Sequence, residues 1–123
     1  DIESVRRERV AVAVRRTPIR RGDVHLVRLD PSVVSEVRKT RPCLVVSPDE
    51  LNEHLRMAIV EPMTTGGHAY PWRIPCQFQN RAGYVAVHQL RTVDGERLVK
   101  RLGQLSSGTT TTVLDTLQEM FEE

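Results

Sequence analysis

Short apolar segments bounded by proline, glycine or charged residues constrain this chain more than any other feature. The clearest is CLVVS, residues 43–47, which lies between Pro42 and Pro48. A fully apolar run of this length, flanked by residues that interrupt it, is typical of a strand covered on both faces. MAIVEPM and YVAVHQL have the same character. The sequence therefore predicts a fold built from short strands.

Other segments complete a prediction of the α+β class. A turn at Gly22 precedes a first strand, and WRIPCQF is a strand that Pro75 assigns to an edge or a bulge. LNEHLR is typical of a helical turn, and DGERLVKRLGQL predicts a short helix ended by Gly103. SSGTTTTVLDTLQEMF predicts a closing helix that begins within or after the threonines, capped by Ser107 or by a threonine. Five or so strands with these helices predict a small antiparallel β-barrel or curled sheet.

Length and composition limit the classes of protein that fit. The 123 residues suit one domain over residues 20–123, preceded by an arginine-rich arm over residues 1–19. No run approaches the roughly 18 apolar residues of a membrane span, and VAVAV is too short for a secretory signal, so we expect a cytoplasmic protein. The two cysteines are predicted to be buried, reduced thiols. Metal-ligand spacing is absent from the sequence, so we expect neither a metal nor another cofactor.

Charge is distributed unevenly along the chain. The net charge is +2, but residues 1–45 contain eleven Lys and Arg against six Asp and Glu, whereas residues 106–123 contain four acidic residues and no basic one. A cationic face can neutralise phosphates and release counterions, which favours nucleic acid as a partner. Solvated surface charge without a partner is the alternative interpretation.

Two blocks of sequence carry a resemblance to a known family. GDVHLVRLDPSVVSEVRKTRPCLVV, followed by EPMTT, and QLRTVDGERL resemble the MazF/PemK family of toxin endoribonucleases over about residues 20–121. The resemblance implies an SH3-like barrel that forms a homodimer and cuts single-stranded RNA (mRNA) without metal. The implied reaction is attack by the 2′-hydroxyl, giving 2′,3′-cyclic phosphate and 5′-hydroxyl ends. It also implies a MazE-like antitoxin with an acidic tail. A non-cleaving homologue of the same fold, such as a gyrase inhibitor, is the alternative.

Arg41 is the first predicted catalytic residue. A guanidinium stays protonated and offers a planar fork of donors that matches phosphate oxygens. Pro42 and the buried strand after it are expected to fix its backbone, whereas Arg38 and Lys39 lie further out, where we expect them to hold RNA phosphates. In the family that the sequence resembles, the arginine of the RP pair is catalytic. A surface ion pair at a strand start is the alternative.

Thr64 and Glu36 complete the predicted catalytic set through the resemblance. The family has a catalytic threonine at the first Thr of its P-x-T-T segment, which matches Thr64, and its neighbour Thr65 is expected to bind RNA. A threonine hydroxyl can accept from the ribose 2′-hydroxyl or donate to a phosphate oxygen. Glu36 matches a glutamate of the family's cleavage groove, where it could act as a base or orient Arg41. A surface ion pair with Arg38 is the alternative.

Further RNA-binding residues are predicted in two loops. Gln89 matches a glutamine that contacts bases in the family, and His68 and His88 are expected to contact RNA. His88 replaces the acidic residue usual in the family, and His25 replaces an aromatic one; we expect His25 to be structural or exposed. Val34 replaces a glycine, so the loop before the basic cluster is expected to take a different path.

Overall fold

The strands pair into one curled antiparallel sheet. A computed structural model describes residues 18–29 and 40–123. The strands of that part of the chain are β1 (Asp23–Arg28), β2 (Thr40–Val45), β3 (Met57–Thr64), β4 (Arg73–Phe78), β5 (Arg81–Ala86), β6 (Arg91–Asp94) and β7 (Leu98–Gln104). The helices are α1 (Asp49–Leu55) and α2 (Ser107–Met120), with single 3₁₀ turns at Val87–Gln89 and Gly95–Arg97. These elements confirm the predicted fold class. The predicted arm lies outside the described residues except for Pro18 and Ile19.

β3 is the strand on which the sheet is organised. The strand order is β4-β5-β3-β2-β1-β7, and β6 also pairs with β3. Residues 57–60 of β3 pair with β6, residues 60–62 pair with β2, and residues 63–64 pair with β5. The end of β3 therefore lies where strands from three parts of the sequence meet. β4 is at one end of this order, so the prediction that Pro75 lies in an edge strand is confirmed.

The sheet has an apolar cluster on each face. The first cluster contains Val24, Leu44, Val46, Met63, Cys76, Val85, Val87, Leu105 and Val113. The second contains Val27, Cys43, Val45, Ala58, Val60 and Val93. Because side chains of a strand alternate between faces, Leu44 enters the first cluster while Cys43 and Val45 enter the second. The prediction that CLVVS is covered on both faces is confirmed, as is that of buried, free thiols at Cys43 and Cys76.

The predicted helix over DGERLVKRLGQL is wrong. After the 3₁₀ turn at Gly95–Arg97 this segment is β7, which pairs antiparallel with β1. The pairing is interrupted by two irregularities, and Leu98 packs against the second cluster while Leu102 packs against the first. Leucines four residues apart have a helical spacing. In β7 a bulge lies between these two leucines, which allows them to pack against different clusters within one strand. The free edge of β1 needs a partner, and that tertiary requirement overrides the local pattern.

α2 begins earlier than the sequence predicts. Its N-cap is Ser106, whose hydroxyl accepts a hydrogen bond from the Thr109 backbone N–H at 3.2 Å, so all four consecutive threonines lie inside the helix. The Thr110 and Thr112 hydroxyls donate to carbonyls four residues earlier, at 3.0 and 3.1 Å. These bonds satisfy the hydroxyls within the helix, which makes β-branched residues acceptable there. Within the described residues, no helix has both the length and the apolar character needed to cross a membrane.

Candidate functional site

Arg41 lies at the start of β2, on the face of the second apolar cluster. It pairs with Val27 of β1 and is half-buried. Because it alternates with Cys43 and Val45, its side chain belongs to the same face as theirs. Within residues 18–29 and 40–123 its guanidinium has neither a carboxylate nor a carbonyl partner. The described part of the chain therefore leaves this cation without an anionic partner.

Thr64 is the last residue of β3, at the same end of the sheet as Arg41. The β2–β3 register pairs Val45 with Val60 and Cys43 with Pro62. This pairing ends at Cys43 and Pro62. Because Thr64 alternates with Val60 of the second cluster, its side chain belongs to the same face as that of Arg41. Thr64 is half-buried and pairs with Tyr84 of β5. The guanidinium and the hydroxyl thus belong to neighbouring strand ends on one face.

Arg91 adds a second cation that the sequence reasoning missed. It opens β6, is half-buried, and pairs with Val60 of β3, which places it on the face of the second cluster. Burial raises the pKa of the Cys43 thiol to about 12, against the opposing effect of Arg91 and of Arg41. Both guanidiniums therefore act on the same thiol from nearby. Alternation of Arg91 with buried Val93 is the sequence signal that could have identified it.

The loop between β3 and β4 is rich in exposed side chains. It contains Thr65 and His68, which were predicted to bind RNA, and both are exposed. Two aromatic residues that the sequence reasoning did not select are also exposed, Tyr70 at 51% and Trp72 at 39%. Aromatic side chains in a glycine-containing loop are a signal for base stacking on a protein that binds single-stranded nucleic acid.

His88 and Gln89 lie in the 3₁₀ turn that joins β5 to β6. Both are exposed, and the Gln89 Nε2 and His88 Nε2 atoms are 3.4 Å apart. The turn is tied to the β3–β4 loop by a hydrogen bond from the Val87 N–H to the Trp72 carbonyl, 2.9 Å long. Only Leu90 separates it from Arg91. The structure therefore connects this predicted RNA-binding pair to the neighbourhood of Thr64 through its backbone.

Three predicted residues cannot be placed in this geometry. Glu36, Arg38 and Lys39, together with Val34, lie outside the described residues, and their roles stay predictions.

His25 is buried, at 3% exposed, and lies 3.9 Å from the Asp23 carboxylate. Burial lowers the pKa of His25, so the imidazole is a structural residue rather than an exposed one.

Glu61 is a buried carboxyl group that the sequence reasoning overlooked. It lies in β3 opposite Leu44, on the face of the first cluster, and is fully buried. Neither carboxyl oxygen has a hydrogen-bond partner within the described part of the chain. Burial raises the pKa of Glu61 to about 8. In the same part of the chain, no group of three or more His, Cys, Asp or Glu residues is arranged to hold a metal ion.

Comparisons with known proteins agree on one family. A family model described as PemK-like, MazF-like toxin of type II toxin-antitoxin system matches residues 20–121. The endoribonuclease toxin ChpB of Escherichia coli K12 is 33% identical over 116 residues, which cover 89% of this chain and 99% of ChpB. Endoribonuclease PemK of Escherichia coli is 41% identical over 54 residues, which cover 44% of this chain and 41% of PemK.

Solved structures give the same result for the fold. A crystal structure of MazF from Deinococcus radiodurans matches with a TM-score of 0.73 and 20% identity, over 85% of this chain and 96% of that one. A mycobacterial endoribonuclease in complex with its cognate antitoxin matches with a TM-score of 0.68 and 20% identity, over 82% of this chain and 92% of that one.

Proposed function

The chain belongs to the PemK-like, MazF-like family of toxins of type II toxin–antitoxin systems, and we propose that it is an endoribonuclease that cleaves single-stranded RNA without a metal ion. The observation that carries the proposal is that Arg41, Thr64 and Arg91 all alternate with residues of the second cluster and so belong to one face of the sheet. The two guanidiniums have no carboxylate partner within the described residues. A phosphodiester would supply the missing anion.

The proposed reaction uses the substrate's own 2′-hydroxyl. Its oxygen attacks the adjacent phosphorus, and a new bond forms while the bond from phosphorus to the 5′-oxygen breaks. The 2′ proton passes to a base, the 5′-oxygen takes a proton from water, and the products are a 2′,3′-cyclic phosphate and a 5′-hydroxyl. Negative charge grows on the phosphoryl oxygens in the transition state, where the fixed Arg41 guanidinium stabilises it.

The remaining residues have supporting roles in the proposal. Thr64 positions the attacking 2′-hydroxyl, and Glu36 is the proposed base on the strength of the family resemblance. Arg91, Arg38 and Lys39 hold phosphates of the bound strand. The exposed Thr65, His68, His88 and Gln89 contact the bases and sugars around the cleavage position, beside Tyr70 and Trp72.

The proposal extends to partners and place of action. Solved structures of the same fold include toxins bound to their antitoxins, among them MazE–MazF complexes from Deinococcus radiodurans. We propose that this chain likewise acts as a homodimer, in the cytoplasm where mRNA is found, and that an antitoxin with an acidic tail inhibits it. An acidic segment would compete with RNA for the same guanidiniums.

The decisive experiment is incubation of the protein with mixed-sequence single-stranded RNA in excess chelator, followed by mapping of the fragment ends. We expect fragments that begin with a 5′-hydroxyl and end in a cyclic phosphate, and a loss of about 100-fold or more in rate for Arg41→Ala. The matched control is Arg81→Ala, which removes an exposed arginine of β5. Intact RNA together with inhibited supercoiling would favour the gyrase-inhibitor class instead.

A further inference from the structure

The loop that follows Thr64 is folded onto Arg73, the first residue of β4. The Arg73 Nη1 donates a hydrogen bond to the Gly66 carbonyl at 2.9 Å, and the Arg73 backbone N–H donates to the Tyr70 carbonyl at 3.0 Å. The side chain and the backbone of one residue thus bind both ends of the loop. Because the loop begins directly after Thr64, its path determines where the threonine hydroxyl points.

The Gly66 carbonyl is the atom that connects Arg73 to Thr64. The Thr64 Oγ1 lies 3.2 Å from this carbonyl oxygen, which also accepts from Arg73. A carbonyl oxygen only accepts, so the threonine must donate its single hydroxyl proton. The lone pairs of Oγ1 then remain for other partners. In this geometry Thr64 can accept a hydrogen bond from a ribose 2′-hydroxyl, but it has no second proton for a phosphate oxygen.

The guanidinium of Arg73 is itself held in place from several sides. Its central carbon lies 5.2 Å from the centroid of the Tyr70 ring and 5.8 Å from that of Tyr84, the residue paired with Thr64. Such contacts between a guanidinium and an aromatic ring are attractive. Gly67 has a φ of +98°, and a Cβ at that position would collide with the Arg73 Nη1. A residue with a side chain would therefore displace the guanidinium as well as strain the backbone.

We propose that Arg73 is a positioning residue, which fixes the Gly66 carbonyl and through it orients Thr64 as a hydrogen-bond acceptor for the attacking 2′-hydroxyl. The inference rests on the proposed catalytic role of Thr64. Arg73 acts through the loop and does not touch the reacting atoms. A misplaced nucleophile slows the chemical step, whereas phosphate binding by Arg41 and Arg91 is unaffected. The loss of Arg73 should therefore lower kcat by more than it raises KM, since the same loop also carries Thr65 and His68.

The test compares Arg73→Met with Arg81→Met, which removes the same charge from an exposed position of β5. We expect the first variant to lose about 10- to 100-fold in kcat, with a smaller rise in KM, and the second to remain at the parental rate. In a Thr64→Ala background, Arg73→Met should lower kcat by less than about twofold, because the hydroxyl that Arg73 orients is already absent. Hydrogen exchange of the residue 73 amide, which is bonded to the Tyr70 carbonyl, should quicken in Arg73→Met but not in Arg81→Met.

Each outcome decides the matter. An unchanged kcat, a rise in KM without a fall in kcat, or an equal loss in the Thr64→Ala background would overturn the positioning role. Unchanged exchange of the residue 73 amide would overturn it independently of activity. If the parent protein does not cleave RNA at all, the proposed function fails, and the exchange measurement still shows whether Arg73 holds the loop.

Discussion

Thr64 and Glu61 of β3 lie in opposite electrostatic environments, although they are only three positions apart. Thr64 ends the strand on a face with two half-buried guanidiniums, Arg41 and Arg91. Glu61 lies within the strand, fully buried and without a partner among the described residues, and burial raises its pKa to about 8. Water stabilises an ion at the margin, while the core forces a carboxyl group toward its neutral form.

This difference separates the residues that we propose to serve RNA cleavage from a residue that affects the stability of the fold. An unpaired cation at the edge of the sheet contributes little to folding but is available to a phosphodiester. An unpartnered carboxyl group in the core cannot reach such a ligand and destabilises the fold whenever it ionises. Removing either charge should therefore change one property and leave the other unchanged.

The largest expected effect is that of Arg41→Gln on activity. The amide removes the charge and the fork of donors, so the rate of RNA cleavage should fall by about 100-fold or more. The thermal midpoint should stay close to that of the parent, because no ion pair of the described residues is broken. Cleavage kinetics and a melting curve on the same sample measure both. A variant that cleaves normally but melts early would reverse the assignment of Arg41.

The second effect concerns stability and the pH. The folded protein keeps the Glu61 proton up to about pH 8, while the unfolded chain loses it near the ordinary glutamate pKa of 4.5. The contribution of the Glu61 proton to the free energy of unfolding is thus full below about pH 4.5. It is lost as the pH rises to about 8, at up to about 1.4 kcal/mol per pH unit. Glu61→Gln should remove this slope, becoming more stable than the parent at pH 8 and no more stable at pH 4.5. Denaturant unfolding at several pH values measures it.

The rate of RNA cleavage by Glu61→Gln tests whether Glu61 affects stability alone. Because Glu61 lies on the face opposite the guanidiniums, its cleavage rate at a temperature where both proteins are folded should equal that of the parent. Parallel unfolding curves for parent and variant across the whole pH range would contradict the neutral, buried state of this carboxyl group.

Arg91→Ala should have the third largest effect. Arg91 is proposed to hold a phosphate rather than the transition state, so we expect a loss of about 10-fold in RNA affinity and a smaller change in kcat. The slope of log affinity against log salt concentration should also decrease by about 0.7, the value for one phosphate contact on a single strand. Titration of an uncleavable RNA at several salt concentrations measures both quantities. Arg81→Ala is the control, and an unchanged salt slope would exclude a phosphate contact at Arg91.

The sequence predicted those features that depend on local patterns. The apolar run at residues 43–47 indicated a strand buried on both faces, and this is confirmed. The catalytic roles that the resemblance implies for Arg41 and Thr64 stay predictions. Local patterns failed where pairing between distant segments decides the outcome. β7 looked helical because its register with β1 is not visible in the sequence. Arg73 and Arg91 were missed for the same reason, because their positions relative to Thr64 follow from strands that pair across the sheet.

The smallest predicted effect tests whether the exposed aromatic residue Tyr70 contacts RNA. Tyr70 contacts the Arg73 guanidinium with its ring and remains half-exposed, so one surface of the ring is free for an unpaired base. Tyr70→Ala should weaken RNA binding by about 5- to 10-fold, the lower range for the loss of one stacked base, whereas Tyr70→Phe should bind like the parent because stacking needs no hydroxyl. Affinity for an uncleavable single strand separates the two variants. Equal binding by the parent and Tyr70→Ala would show that RNA does not contact this ring. The proposed RNA-binding surface would then be limited to the guanidiniums and Thr64.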